Sequence, residues 1–151
     1  MVRRVTVADR QIYLDLADAF YHSEAVLHPI SKKNITAAFD EMVHSDCYLE
    51  GYIFEEDNIP AGFGLIAKTF SQEAGGLVIW VEDLFVLPQY RSKGLAAKFF
   101  EHLFAVHAGA KRFRLEVTRD NRAAALYERM GFLRLDYQSM VLERCFAEDR
   151  E

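Results

Sequence analysis

The sequence predicts an α/β fold in which a mixed, mostly antiparallel β-sheet is flanked by helices. The chain has 151 residues, of which 51% are hydrophobic, which is enough for one substantial core. Early apolar segments are joined by a short polar turn, as in hairpins, whereas later ones are separated by stretches of helical periodicity. No repeat, linker or charge block divides the chain, so we expect residues 1–151 to form a single domain.

In the first half, the elements follow from caps, apolar spacing and turn residues. Asp9 can cap a helix, Pro29 interrupts helical structure, and the polar residues 56–58 predict a hairpin turn. The predicted elements are a strand at 2–7, a helix from Asp9 to about 22–23, a connector, a helix that follows Ser31 or Asn34 and ends near 44–46, and strands at 47–55 and 60–70.

In the second half, the longest apolar run, residues 77–86, predicts the central strand, because burial on both faces removes the usual alternation. Asp120 or Asn121 can cap the last helix, and Gly131 can end it. The remaining predicted elements are a helix from about 92 to 107, a strand at 112–117, a helix at 122–130, and final strands at 132–135 and 138–144. The tail, AEDRE, is polar.

Composition excludes several functional classes. The chain carries 18 Lys and Arg against 23 Asp and Glu, a net charge of −5, which argues against a nucleic-acid partner. The two cysteines, Cys47 and Cys145, form no metal-ligand spacing with the histidines, so we expect no metal, and Cys145 is interpreted as a structural or exposed thiol. No signal-peptide core or membrane-length apolar run is present, so we expect no membrane partner and a cytoplasmic location.

A basic turn that contains a glycine opens directly into a helix at residues 91–97. The first N–H groups of a helix lack intrahelical partners, and the helix dipole adds positive charge there. Gly94 lets the backbone approach a ligand, and Arg91 and Lys93 add charge. The turn therefore predicts a diphosphate site, the alternative being an ordinary solvated turn.

Two motifs identify a family resemblance. Arg91-Ser92-Lys93-Gly94-Leu95-Ala96, preceded by Leu84 to Pro88, and Asn121 through Leu126-Tyr127-Glu128-Arg129-Met130-Gly131-Phe132 resemble the motifs of GNAT-superfamily N-acetyltransferases. The segment 80–86 also resembles the strand of the diamine and thialysine acetyltransferase group. Asn121 precedes Tyr127 by six residues rather than the usual seven, and Asp120 stands at seven. Either residue can therefore take the family's Asn role, and we favour Asn121, whose amide both donates and accepts.

The resemblance implies a GNAT-like acyl-CoA N-acyltransferase fold and acetyl-CoA as co-substrate. The pyrophosphate is then expected on Arg91, Ser92, Lys93, Gly94, Leu95, Ala96 and Ala97, and the pantetheine arm on the backbone of Leu84, Phe85 and Val86 and on Asn121. Tyr127 is expected to bind near the thioester and to protonate the leaving thiolate. The alternative for Tyr127 is an aromatic anchor of its helix.

The acceptor side is predicted from acidic residues. Glu82 and Asp83 lie within an apolar strand, where acids are costly unless they are paired or functional. Glu82 is a candidate catalytic base and, with Asp83, a candidate substrate-binding residue. The alternative is a buried acid paired with Arg114 or with another basic residue on a neighbouring strand. The resemblance also places Glu24, and His22 beside it, in the acceptor-lining loop, the alternative being a solvated loop.

These observations predict an acetyl-CoA-dependent N-acetyltransferase in which the primary amine of a small molecule attacks the thioester directly. Neither a metal nor a covalent enzyme intermediate is needed. Two alternatives stay open: a protein or peptide acceptor, and a non-catalytic sensor of acyl-CoA. The resemblance also makes a homodimer an option.

Overall fold

The structure, a computed structural model, describes residues 1–144. Its elements are β1 (Val2–Arg4), α1 (Arg10–Tyr21), α2 (Lys32–His44), β2 (Leu49–Glu56), β3 (Ile59–Ser71), β4 (Gly76–Val86), α3 (Leu95–Val106), β5 (Arg112–Leu115) and α4 (Ala124–Arg129). The five strands form one sheet in chain order, with β1 to β4 antiparallel and β5 parallel to β4. The predicted α/β fold with a mixed, mostly antiparallel sheet is confirmed.

The sheet buries both of its faces. On one face, α1 and α2 pack against Ile53 and Phe63, and on the other, α3 packs against Phe54. Neighbouring residues of β2 thus enter different cores, which explains the continuous apolar sequence. The approach of α3 is close, because a Cβ added at Gly64 would lie 2.5 Å from the ring of Phe99.

A β-bulge in β4 decides where its acidic residues lie. Ile66 of β3 pairs with Val81, but the preceding Leu65 pairs with Asp83, so Glu82 is the extra residue. Such an insertion reverses the alternation of the strand. Asp83 is therefore buried on the face that carries α1, whereas Glu82 is only partly covered at the bulge.

Strands β4 and β5 separate immediately beyond this bulge. Their parallel pairing runs from Val78 with Arg112 to Val81 with Leu115, where β5 ends. Strand β4 continues to Val86, and within residues 1–144 its last residues pair with β3 alone. The sheet therefore opens into a V between the two strands.

Three elements, β1, α3 and β5, begin or end at residues other than those predicted. Strand β1 ends at Arg4, because the backbone and hydroxyl of Thr6 donate hydrogen bonds to Asp9 instead of extending the ladder. Helix α3 begins at Leu95, since Gly94 before it is left-handed. Strand β5 ends at 115 because β4 turns away from it.

The predicted final strands at 132–135 and 138–144 are wrong for the residues described. No strand follows β5 up to residue 144, and the side chains of Leu133 and Met140 are 86% and 96% exposed. An apolar sequence becomes a strand only where a neighbour accepts its backbone hydrogen bonds, and here no neighbour pairs with it. The predictions for Cys145 and the polar tail concern residues outside the described range.

Candidate active site

The turn before α3 has the backbone geometry of an anion site. Ser92 and Gly94 both adopt left-handed conformations, with φ of 62° and 75°. Turns of this type create concavities lined by successive N–H groups. The described hydrogen bonds of residues 1–144 include none donated by the backbone of residues 92–97. These amides are available to a phosphate group at the positively charged end of a 12-residue helix.

The two basic side chains of the turn are held near its rim. Arg91 donates from Nε to the carbonyl of Val86 at 3.1 Å, which ties the turn to the end of β4. The Nζ atom of Lys93 lies 3.8 Å from a carboxylate oxygen of Glu56, too far for a strong ion pair. Lys93 can therefore turn toward a bound anion at little cost.

A small cleft lies in the V between β4 and β5. Both strands and the segment leading into α4 line it, and the loop after α1 closes one side. The lining residues are Phe20, Ala25, Val81, Glu82, Leu84, Leu115, Glu116, Val117, Asn121 and Tyr127. Four of the predicted site residues, Glu82, Leu84, Asn121 and Tyr127, thus share one cleft.

Glu82 shares this cleft with a second carboxylate, Glu116. Partial burial and the negative charge of Glu116 both raise the pKa of Glu82 above its usual value. Glu116 was not among the site residues predicted from the sequence. Its position one residue beyond the carboxyl end of β5, beside the V, is the signal that could have indicated it.

The alternative predicted for Glu82 was a purely structural ion pair, with Arg114 or another basic residue on a neighbouring strand. The guanidinium of Arg114 instead lies 4.3 Å from the ring centroid of Trp80 in a cation–π contact. Among the described residues no cation forms an ion pair with Glu82 or with Glu116. The cleft therefore carries two carboxylates that have no ion-pair partner within residues 1–144.

Asp83 has a different environment from its neighbour. It is buried on the α1 face, where the hydroxyl of Tyr21 donates to both carboxylate oxygens, at 3.0 and 2.9 Å. Burial raises the pKa of Asp83 to about 6, the Tyr21 hydrogen bond opposes this shift, and the charge of Glu82 adds to it. Asp83 does not line the cleft, and its substrate-binding role stays a prediction.

The loop after α1 places no ionisable side chain in the lining of the cleft. Ala25 lines it, whereas the neighbouring Glu24 is exposed and is not among the lining residues. His22 forms a local hydrogen bond, in which its Nδ1–H donates to the carbonyl of Asp18 at 2.8 Å. The predicted acceptor roles of these two residues stay predictions.

Tyr127 combines an anchored ring with a hydroxyl in the cleft. Its ring packs edge-to-face on Phe100, with centroids 5.7 Å apart, so the anchoring interpretation describes the ring. Its hydroxyl forms none of the hydrogen bonds described for residues 1–144. Burial raises the pKa of Tyr127 to about 12. The hydroxyl is therefore protonated at neutral pH and free to donate.

Asn121, rather than Asp120, faces the cleft. Its Oδ1 accepts from the N–H of Ala123 at 2.9 Å, which orders the turn that leads into α4. The side-chain NH₂ group then remains available to a ligand, whereas Asp120 is exposed. This geometry supports Asn121, rather than Asp120, as the residue that takes the family's Asn role.

Other regions offer weaker candidates. A more open hollow beside β1 contains one surface ion pair, between Arg4 and Asp46 at 2.6 Å. No group of three potential metal ligands occurs within residues 1–144. None of the helices in that part of the chain is both long and apolar enough to cross a membrane.

Comparisons with known proteins agree with this fold. The thialysine N-epsilon-acetyltransferase of Mus musculus is 33% identical over 79 residues, which is 50% of this chain and 46% of the relative. The chain thus spans about half the length of that curated relative.

Two solved structures resemble the fold over nearly their whole length. The aminoglycoside acetyltransferase AAC(6')-Iy, in complex with a bisubstrate analogue, has a TM-score of 0.78 at 16% identity and covers 96% of this chain and 98% of its own. An acetyltransferase of Clostridium acetobutylicum with acetyl-CoA has a TM-score of 0.77 at 18% identity, covering 94% and 95%. The profile of the acetyltransferase (GNAT) family matches residues 10–132. The chain therefore belongs to the GNAT acetyltransferase family.

Proposed function

We propose that this protein transfers an acetyl group from acetyl-CoA to the primary amine of a small cationic molecule. The observation that carries this proposal is the V between β4 and β5, which brings Glu82, Glu116 and Tyr127 into one cleft. The cleft lies beside the last residues of β4, and β4 leads to the left-handed turn before α3. One ligand can therefore contact both places.

The residues present fit coenzyme A at both of its ends. The unbonded amides of residues 92–97 suit the pyrophosphate, and Arg91 and Lys93 stand at the rim. The free edge of β4 between Leu84 and Val86 can pair with the pantetheine arm as an added strand. The NH₂ group of Asn121 can hydrogen-bond to an amide of the same arm.

The side chains of the cleft suit direct attack. Glu82 takes a proton from the acceptor ammonium, and the neutral nitrogen attacks the thioester carbonyl carbon. A backbone N–H of the Leu84–Val86 segment polarises the carbonyl. The C–N bond forms, the C–S bond breaks, and Tyr127 donates its proton to the departing thiolate, whose pKa is near 8.5.

The electrostatics of the cleft select a cationic acceptor. Two carboxylates that lack an ion-pair partner in the described part of the chain repel each other and attract a positive group. The raised pKa of Glu82 also brings it closer to the pKa of a useful general base. The relatives with aminoglycoside and thialysine acetyltransferase names are consistent with this choice.

An acceptor screen tests the proposal. Purified protein and acetyl-CoA are incubated with polyamines, basic amino acids, aminoglycosides and lysine-containing peptides, and release of the CoA thiol is followed. We expect turnover with small cationic amines and little with neutral amines of the same length.

Two other outcomes would change the conclusion. Turnover only with peptides would favour a protein acceptor. Tight binding of acetyl-CoA in a thermal-shift assay without turnover on any amine would favour a sensor. No shift with millimolar coenzyme A would exclude both the transferase and the sensor.

A further inference from the structure

One side-chain contact ties the last residue of α1 to the bulge of β4. The hydroxyl of Tyr21 donates to both carboxylate oxygens of Asp83, at 3.0 and 2.9 Å, and joins segments 62 residues apart. Asp83 is only 7% exposed, and within residues 1–144 no other side chain is described as a donor to it. The contact therefore supplies the hydrogen bonds that a buried carboxylate requires.

This contact lies where β4 has the least backbone support. Glu82 is the extra residue of the bulge and has no partner in the register with β3. On the other side, the pairing of β4 with β5 ends at Val81. In the ladders of residues 1–144, Glu82 is thus held in place through its two neighbours in the chain. One of these neighbours is Asp83, whose side chain is fixed by Tyr21.

The same contact fixes the side of the cleft that the loop after α1 closes. Phe20 and Ala25 line the cleft there, and the ring of Phe20 packs on that of Tyr21, with centroids 4.9 Å apart. The hydroxyl of Ser23 donates to the carbonyl of Phe20 at 2.6 Å and accepts from the N–H of Ala25 at 3.2 Å. A continuous set of contacts therefore runs from Asp83 through the end of α1 to the cleft wall.

We propose that Tyr21 is a positioning residue for acetyl transfer, which holds Asp83 and thereby fixes the bulge so that the carboxylate of Glu82 faces the acceptor nitrogen. This inference rests on the proposed function, in which Glu82 is the base. Tyr21 does not line the cleft, so it acts through Asp83 and not by touching a substrate. Burial and the charge of Asp83 raise the pKa of Tyr21 above its usual value, so its hydroxyl remains a donor at neutral pH.

The variant Tyr21→Phe tests the proposal, because it keeps the ring packed on Phe20 and removes the hydrogen bonds. The matched control is Tyr52→Phe, which removes the same type of bond, to Glu50 at 2.6 Å, at a place that does not line the cleft. Steady-state kinetics with a cationic amine are measured well below the melting temperatures of both variants. We expect kcat to fall about 30-fold in Tyr21→Phe, with KM for acetyl-CoA unchanged, and to equal the wild-type value in the control.

Two further measurements separate positioning from a general loss of stability. Amide hydrogen exchange across residues 81–84, followed without substrate, should be at least about tenfold faster in Tyr21→Phe than in the wild type or Tyr52→Phe. The conservative variant Asp83→Asn keeps an acceptor for the Tyr21 hydroxyl, so its kcat and its exchange should change less than those of Tyr21→Phe.

The possible failures are distinguishable. Absence of turnover in the wild type would overturn the proposed function and this inference together. Turnover in the wild type with an unchanged kcat in Tyr21→Phe, or with unchanged exchange across residues 81–84, would overturn this inference alone. An equal fall of kcat in Tyr21→Phe and Tyr52→Phe would do the same, because a general loss of stability would then explain both.

Discussion

Two carboxylates on separate strands of one sheet, β2 and β4, have opposite environments. Glu50 of β2 is 4% exposed and is surrounded by donors: the Tyr52 hydroxyl at 2.6 Å, Lys68 Nζ at 2.9 Å, His107 Nε2 at 3.0 Å and Arg4 at 3.3 Å. Burial alone would favour the neutral acid, but these hydrogen bonds and charges lower the pKa of Glu50 to about 2. Glu50 is therefore an ionised group that the fold fully compensates.

Glu82 of β4 has none of that compensation. No cation of residues 1–144 pairs with it, and partial burial together with Glu116 raises its pKa. The difference shows that the placement of partners, and not the acidic residue type, separates a structural carboxylate from a candidate catalytic one. We therefore expect that removing the charge of Glu82 lowers the rate but not the stability. Removing the charge of Glu50 should lower the stability but not the rate.

The largest expected effect is on the rate of Glu82→Gln. Loss of a general base lowers kcat/KM by about 10³-fold. In the wild type the rate should fall as pH decreases through the raised pKa of Glu82, and the variant should lose this acid limb. The charge-matched control is Glu73→Gln in the turn before β4, which should retain full rate.

Glu82→Gln should lower the rate without lowering the free energy of unfolding. Because the native state raises the pKa of Glu82, its ionised form is disfavoured at neutral pH, so the variant should be at least as stable as the wild type. A loss of stability that accounts for the loss of rate would return Glu82 to a structural role. Urea unfolding at pH 7.5 provides the measurement.

Glu50→Gln should instead lower stability by about 3 kcal/mol, because Arg4 and Lys68 lose their buried counter-charge. The pKa of Glu50 is depressed from 4.5 to about 2, so its contribution is present above pH 4.5 and is lost as pH falls toward 2. The variant should show a flatter pH dependence in that window. Its kcat, measured well below its melting temperature, should match that of the wild type.

The next smaller effects come from a matched pair of tyrosines. Tyr127→Phe keeps the packed ring and removes the free hydroxyl, so kcat at saturating acetyl-CoA should fall about 100-fold while CoA affinity and stability stay unchanged. Tyr52→Phe removes the hydrogen bond to Glu50, so stability should fall by about 1.5 kcal/mol with kcat unchanged. Unfolding and steady-state kinetics on both variants separate the two roles. An unchanged kcat for Tyr127→Phe would assign the proton to water or to another group.

The smallest expected effect is that of Glu116→Gln. Loss of one of two carboxylates should weaken kcat/KM for cationic acceptors about tenfold, mainly through KM. It should also move the acid limb to lower pH, because the charge of Glu116 raises the pKa of Glu82. Equal losses for cationic and neutral amines, with an unmoved limb, would contradict a role in recognition.

Some features were predictable because they depend on local sequence. Ser31 begins α2 by accepting a hydrogen bond from the N–H of Asn34, as its residue type suggests. The turn before α3 is predictable for the same reason, since Gly94 and the helical pattern that follows are adjacent in the chain. The family motifs are likewise local.

Other features were not predictable because they depend on strand pairing. Period-two alternation places Glu82 and Asp83 on opposite faces but does not reveal the bulge that leaves Glu82 exposed at the cleft. Glu116 becomes relevant only because β5 stops pairing at Leu115. Residues 132–144 have strand-like composition, yet composition does not supply the neighbour that a strand requires.

The sequence by itself determined the α/β class, the family, and the turn that suits a diphosphate, because caps, periodicity and motifs act over a few residues. The tertiary structure alone decided which of these acids has an ion-pair partner within residues 1–144. Glu50 and Glu82 both lie among apolar residues of predicted strands, and no local rule separates them. Register and packing place Lys68, His107 and Arg4 around Glu50 and turn Arg114 onto Trp80, away from Glu82. Charge compensation depends on contacts between segments distant in sequence, and those contacts exist only in the folded sheet.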